Sequence, residues 1–409
     1  MPSTEPTTRR CLILLLGALA ALGPLSIDMY LPSFQAIERE LRTTPAMVSG
    51  TMASYFVGLC LGQLFYGPWS DRVGRKVPLL VGISIYLLAS LGCALSNSVE
   101  MLIALRFVQA YGACSGMVVG RAVVRDLFPP QETSKVFSLV MLTMGVSPIV
   151  APLLGQLLAE IGGWRGNFAF MVLFAASVWL AVLRLLPWDA PRKTLPSGAP
   201  LWRRFQGVAQ DKNFLAYALS GTLIQGGAYC YVSGSASLFM GSLGLSPKAF
   251  SMLFGLNASA LIFSAQWNAR LLDQHGYRTL LARSIYLGTA AGAVMVAMGL
   301  GHWGGLGVVF PLFVFMGCQG FIFPNSAAGA LAEQGHQAGT ASALLGFMQY
   351  GGAAPAAGGV GLLHRWTDAP MQVGIGACAT ASLVVFSATI GSHTSNDDRR
   401  HEHEIFPKG

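Results

Sequence analysis

Two residues have the type and placement to do chemistry: Asp28 in LSIDMYLP and Arg106 in RFVQAYG, each interrupting a long apolar run. A charged side chain in hydrocarbon costs roughly 3 kcal/mol even on the milder scales, so it is kept neutral, paired or turned toward a watery cavity. An acid so placed can take up and release a proton or meet a substrate. An adjacent arginine can hold that acid ionised, or keep a cavity positive once the acid is protonated. Each also has a plainer role: Asp28 as an interfacial anchor of its helix, Arg106 as a structural residue bonded to backbone carbonyls. Tyr30, Tyr55, Gln63, Tyr229, Tyr231, Gln319, Asn325 and Gln349 lie along other apolar runs. They are the groups that give a mostly apolar pocket a few hydrogen bonds, although each alone reads equally well as a contact between helices.

Catalytic chemistry finds no such support. The sequence has no haem-ligand pair, cysteine cluster, flavin-type glycine fingerprint or Walker motif, so neither an enzyme nor an ATP-driven pump is indicated. Seven cysteines, odd in number and mostly in apolar segments, read as packing residues. His275, His302, His336 and His364 are expected in solvated loops, and DDRRHEHE as a polar tail; no metal and no cofactor is expected.

The elements that position these residues are membrane spans. The 409 residues are 53% hydrophobic and 11% charged, with a mean hydropathy of +0.54, whereas soluble domains carry about a quarter charged residues. Residues 77–99, 136–159, 213–247 and 284–332 hold no Asp, Glu, Lys or Arg, and about 20 apolar residues suffice to cross a bilayer. Spans are expected near 11–34, 46–68, 77–97, 101–124, 134–159 and 165–187, then 214–239, 247–270, 280–299, 306–331, 339–363 and 371–391. The fold class is therefore an all-α polytopic membrane protein of twelve helices in two six-helix halves, 1–190 and 213–395. A linker (191–212) joins them and a polar tail (396–409) follows. The first run, preceded by Arg9 and Arg10, continues past any signal-peptide cleavage point and is expected to stay as the first span.

Basic residues set the orientation. One set of connections holds Arg9, Arg10, Arg72, Arg75, Lys76, Arg125, Lys135, Arg192, Lys193, Arg203, Arg204, Lys212, Arg270, Arg278 and Arg283; the other holds Arg39, Arg42, Arg165, Lys248 and Arg365. Both termini are thus expected in the cytoplasm. The net charge of +8 punctuates the spans instead of forming a groove-sized patch, which excludes nucleic acid as a partner. Asp28 lies ten residues before Glu38 and Arg106 six after Glu100. At 1.5 Å per helical residue those are depths of roughly 15 and 9 Å from the outer ends, which places acid and base in the same outer half of the membrane.

One internal echo supports duplication: DRVGRK from Asp71 recurs as DQHGYR from Asp273, each between the second and third spans of its half. Twelve spans with little mass outside them read as a secondary transporter; a channel would more often show a filter-like loop.

At this point the motifs resemble the major facilitator superfamily. GPWSDRVGRK (67–76) is similar to its signature turn, RFVQAYG (106–112) to its fourth-span signature, and GVSPIVAPLLG (145–155) to its fifth-span antiporter signature. IDMYLP, RAVVRDLF and GGWRGNF resemble the bicyclomycin-resistance (Bcr/CflA) branch of the drug:proton antiporters. The resemblance spans the chain. It implies proton-coupled export of hydrophobic or amphiphilic drugs across a bacterial inner membrane by a monomer, with the bilayer, protons and a small molecule as partners. It also implies that Gly67, Asp71, Arg72, Gly74, Arg75 and Lys76 form a gate turn, with Asp71 facing the start of span eleven. Gly145, Pro148, Pro152 and Gly155 would then bend and pack the fifth span at the junction of the halves. Gly166 departs from relatives that carry Trp there and is expected to loosen the outer end of span six. A carrier for a sugar or amino acid is the alternative within the same superfamily.

Overall fold

The computed structural model describes residues 6–128, 130–186, 201–301, 305–334 and 338–391. Residues 191–200 of the expected linker, the expected tail, His302 and His336 lie outside them. The helices are α1 (Pro6–Asp28), α2 (Phe34–Glu40), α3 (Pro45–Val73), α4 (Lys76–Ala94), α5 (Val99–Leu127) and α6 (Pro130–Leu185). They continue with α7 (Leu201–Ala209), α8 (Lys212–Ala236), α9 (Pro247–Leu300), α10 (Val309–Leu331), α11 (Ala338–Leu363) and α12 (Pro370–Phe386).

Local chemistry sets the helix starts. Thr44, Ser98 and Ser246 accept the backbone N–H three residues on, and Asp211 accepts those of Asn213 and Phe214. These are N-caps for α3, α5, α9 and α8, with Pro45 and Pro247 at first-turn positions where a missing N–H costs nothing.

Eight helical stretches among the described residues are long and apolar enough to cross a membrane. Two of them are double spans: α6 breaks at Gly162 and Gly163, and α9 at Gly276. With the glycine- and serine-richer α8 and α11 the total is twelve. The short α7 falls within the expected linker.

The first half is α1 and α3–α6, the second α8–α12. They meet where α3 packs on α11 and the first limb of α6 packs on the first limb of α9. The internal echo has a backbone counterpart. Gly74 (φ 88°, ψ 175°) and Gly276 (φ 67°, ψ 156°) both take a left-handed φ with extended ψ at matching turns, a conformation open to glycine and strained for other residues.

One expected span is corrected. The run 11–34 is not one helix, because α1 stops at Asp28, a 3₁₀ turn covers Leu31–Ser33, and α2 starts anew. Pro32 has no N–H to donate to the Asp28 carbonyl, and it biases Leu31 away from α geometry. The depth of 15 Å for Asp28 therefore does not follow from a continuous helical rise. Two of the expected loop histidines are described. His275 sits at the break of α9, and His364 is partly buried just past α11, where burial pulls its imidazole below the ordinary value.

Candidate functional site

Asp28 closes α1 and is 5% exposed. Among the described residues no hydrogen bond or ion pair holds its carboxyl. The backbone around it is held tightly. Asn167 Nδ2 donates to the Met29 carbonyl at 3.2 Å and to Ser33 Oγ at 2.9 Å. Gly155 of α6 lies so close that a Cβ there would sit 2.1 Å from Met29 O. The 3₁₀ turn that follows, Leu31–Ser33, packs on α6 and on α8 of the opposite half. Asp28 thus sits where α1, α6 and α8 converge.

Arg106 has other partners. It is fully buried, and its Nη1 donates to Gln109 Oε1 at 2.6 Å and its Nη2 to the Ser26 carbonyl at 2.9 Å. Its guanidinium lies 4.2 Å from the Tyr55 ring centroid, 4.7 Å from Tyr30 and 5.8 Å from Phe168. Gln109 continues the network to Ser90 Oγ at 2.7 Å. Backbone and aromatic partners, not the Asp28 carboxylate, receive this charge, and it ties α5 to α1 within the first half.

The polar candidates divide. Tyr30 shares a hydrogen bond with Thr51 (3.0 Å) and Tyr55 donates to the Gly23 carbonyl (3.4 Å), so both are walls of the Arg106 chamber. Asn257 donates to Tyr231 Oη at 3.2 Å, Gln319 to the Ile224 carbonyl at 3.3 Å, and Asn325 to Asn268 at 2.7 Å; these bind helix to helix. Gln63, Tyr229 and Gln349 are different. They line one cavity of about 230 Å³ between the halves, together with Leu16, Met117, Arg121, Val124, Phe323, Leu345 and Tyr350. Arg121 and Tyr350 were not singled out from sequence. The signal was present in helical spacing, since Ser342, Leu345, Gly346, Gln349 and Tyr350 form one face of α11.

This cavity lies toward the end of the molecule that carries the Arg75 turn, lined from both halves. Toward the opposite side the halves touch: Ser251 Oγ donates to the Pro152 carbonyl at 3.2 Å, and a Cβ on Gly361 would lie 3.0 Å from Ala46 O. Phe56 and Tyr229 meet across the halves with ring centroids 4.6 Å apart.

The signature turn is a brace within the first half. Arg75, 4% exposed, donates to Asp71 (2.6 Å), Ser70 (2.8 Å) and Asp126 at the end of α5 (2.8 Å). Asp71, read from the resemblance as facing span eleven, has Arg75 as its partner among the described residues, and Asp126 also accepts from Arg75. Lys76 Nζ donates to the Leu183 and Leu186 carbonyls at 2.7 and 2.6 Å, capping α6. Arg72 is exposed. Gly74 needs its positive φ. Gly67 does not need to be glycine for close approach, since the nearest atom to a Cβ there is Val118 Cγ1 at 3.9 Å.

On the seam between the halves, a Cβ on Gly145 of the fifth span would lie 3.6 Å from Ile262 Cγ1 of α9, and one on Gly255 of α9 would lie 3.6 Å from Ile149 Cγ2. Pro148 and Pro152 lie inside α6 between Gly145 and Gly155.

The GGWRGNF segment locks the end opposite the Arg75 turn. Trp164 Nε1 donates to Glu40 at 2.7 Å, and Arg165 donates to Glu40 and to the Ser96 carbonyl (2.9 Å). The hydrogen bond from Arg165, with lesser help from Trp164, holds the Glu40 carboxyl below its ordinary value. Gly166 does not loosen this end: a Cβ there would meet Leu158 O at 2.7 Å, so the chain is already in close contact.

With this geometry the comparisons fall into place. Residues 16–357 match the Major Facilitator Superfamily, and the chain belongs to it. It is 39% identical to an uncharacterized MFS-type transporter, YdgK, of Bacillus subtilis, over 83% of this chain and 86% of that one. It is 30% identical to a bicyclomycin resistance protein homolog of Haemophilus influenzae, over 91% and 94%. The crystal structure of a D-xylose-proton symporter superposes with a TM-score of 0.75 at 12% identity, covering 92% of this chain and 97% of that one, and shows the fold alone. The protein is a multi-pass secondary transporter that moves small molecules across a membrane, a carrier and not an enzyme. Among the described residues no group of side chains could hold a metal ion.

Proposed function

We propose that this carrier exports hydrophobic or amphiphilic small molecules in exchange for protons across a bacterial inner membrane, with both termini in the cytoplasm. The observation that carries the reading is the cavity between the halves: mostly apolar walls with a few hydrogen-bonding groups, among them Gln63, Arg121, Tyr229 and Gln349. The resistance named in the Haemophilus relative points the same way.

Asp28 is the proposed proton carrier. It is buried, and among the described residues no cation pairs with it, so a bound proton removes a charge that none of them neutralises. In this cycle Asp28 takes a proton facing outward, releases it facing inward as substrate binds, and the halves 1–190 and 213–395 rock about the site. The membrane potential drives the proton with about 2.3 kcal/mol per charge per 100 mV. The prolines and glycines of the fifth span give the rocking seam its bend, and the Arg75 brace keeps the first half rigid during it.

A second reading has its own support. A cavity of about 230 Å³ with Gln63, Arg121, Tyr229, Ser342, Gln349 and Tyr350 in its lining also suits a compact polar metabolite such as a sugar or amino acid. A susceptibility panel in an efflux-depleted host separates the two. The export reading expects resistance to several apolar compounds with wild type and loss of it with Asp28→Asn. No change for any compound, together with accumulation of a labelled sugar or amino acid, establishes the second reading instead.

A further inference from the structure

The cavity between the halves is unbalanced in its hydrogen bonding. Arg121 is exposed to it, and its Nε donates to the Met117 carbonyl of its own helix at 2.9 Å. Among the described residues the two Nη groups have no acceptor. Gln63, 1% exposed and part of the same lining, has an Nε2 with no partner among the described residues. Among the described residues no Asp or Glu belongs to the lining, so Arg121 has no counter-charge among them, in walls built from Leu16, Val124, Phe323 and Leu345. A cationic guest would meet Arg121 with nothing to offset the repulsion. A carboxylate brings only acceptors, and a guanidinium binds it through paired N–H groups.

We infer that the cavity recognises amphiphilic anions: Arg121 binds a carboxylate or similar anionic head, Gln63 Nε2 donates to an acceptor on the same molecule, and the apolar walls take its body. This rests on the reading of the cavity as the transport site and names the substrate class for it. The charge runs opposite to what Asp28 alone suggests, since Asp28 lines neither this cavity nor the polar pocket around Gln35, Glu38 and Arg39.

The test is binding to the purified full chain in lipid nanodiscs, with 4-phenylbutyrate, its uncharged amide and the corresponding amine as probes. Wild type is expected to bind the acid about tenfold tighter than the amide, the worth of one charge-assisted pair, with the amine weakest. Arg121→Gln should bring acid and amide within about twofold, Arg121→Lys should restore part of the preference, and Gln63→Leu should weaken acid and amide together. Unchanged melting temperatures for the Arg121 variants exclude misfolding. The inference is overturned if wild type does not prefer the acid, if the preference survives in Arg121→Gln, or if only the amine binds. Transport in liposomes separates the two claims. An acid preference in binding that depends on Arg121, with transport indifferent to Arg121→Gln, upholds the anion site and refutes the cavity as the transport route.

Discussion

Gly155→Ala offers a direct test of how α6 and the end of α1 fit together. The added methyl would lie 2.1 Å from Met29 O, 2.7 Å from its carbonyl carbon and 2.8 Å from its Cα. All three are backbone atoms, so no side chain can swing aside. An ordinary carbon–oxygen contact is about 3.3 Å or more, so the helices must part by roughly 1 Å. Overpacking of this kind costs about 1–3 kcal/mol, or a fall of about 1.2–3.5 °C in melting temperature for a chain of 409 residues at about 2.1 cal/mol/K of unfolding entropy per residue. Gly67→Ala is the matched control, since its methyl finds nothing nearer than 3.9 Å. Thermal unfolding of detergent-solubilised protein, followed by a thiol-reactive dye on the buried cysteines, reads both. Because Met29 follows Asp28, Gly155→Ala should also depress transport beyond its effect on stability. The packing argument fails if Gly155→Ala melts within about 1 °C of wild type, or if Gly67→Ala is equally damaging.

Arg106→Lys should destabilise the first half. An ammonium cannot reproduce the bonds to Gln109 and Ser26 while also facing Tyr55 and Tyr30, and desolvated cation–π contacts are each worth up to about 2 kcal/mol. Yield and melting temperature check it, with wild-type stability as the contrary result. Glu40, its carboxyl lowered chiefly by the Arg165 bond, gives stability that is full above the ordinary carboxylate range and is lost as pH falls through its lowered value. Glu40→Gln should therefore flatten the acid limb of a melting-temperature profile in that window, and an unchanged limb would remove the clamp from the account.

Much of the fold was legible because membrane insertion makes composition decisive: uncharged runs set the spans, and basic residues set the connections. The DRVGRK and DQHGYR echo reached even the backbone, in the shared conformation of Gly74 and Gly276. The misreadings came from tertiary detail. Pro32 ends α1 four residues back at Asp28, which helical rise alone does not register. Depth alone pairs Arg106 with Asp28, yet its partners are Gln109, rings and the Ser26 carbonyl, which only packing brings near. Gly166 was taken for a gap because a larger residue was missing, whereas the backbone itself fills the place. Arg121 went unnoticed because an arginine near a helix end reads as topology; its significance depends on which face of α5 the second half leaves open.

The central claim is that Asp28 carries the proton that drives transport. The decisive measurement reconstitutes wild type and Asp28→Asn in liposomes with an entrapped pH-sensitive dye, and follows proton movement when a transported compound is added. The account predicts compound-dependent proton flux with wild type and none with Asp28→Asn, while compound still binds the variant. Wild-type proton flux through Asp28→Asn would contradict it.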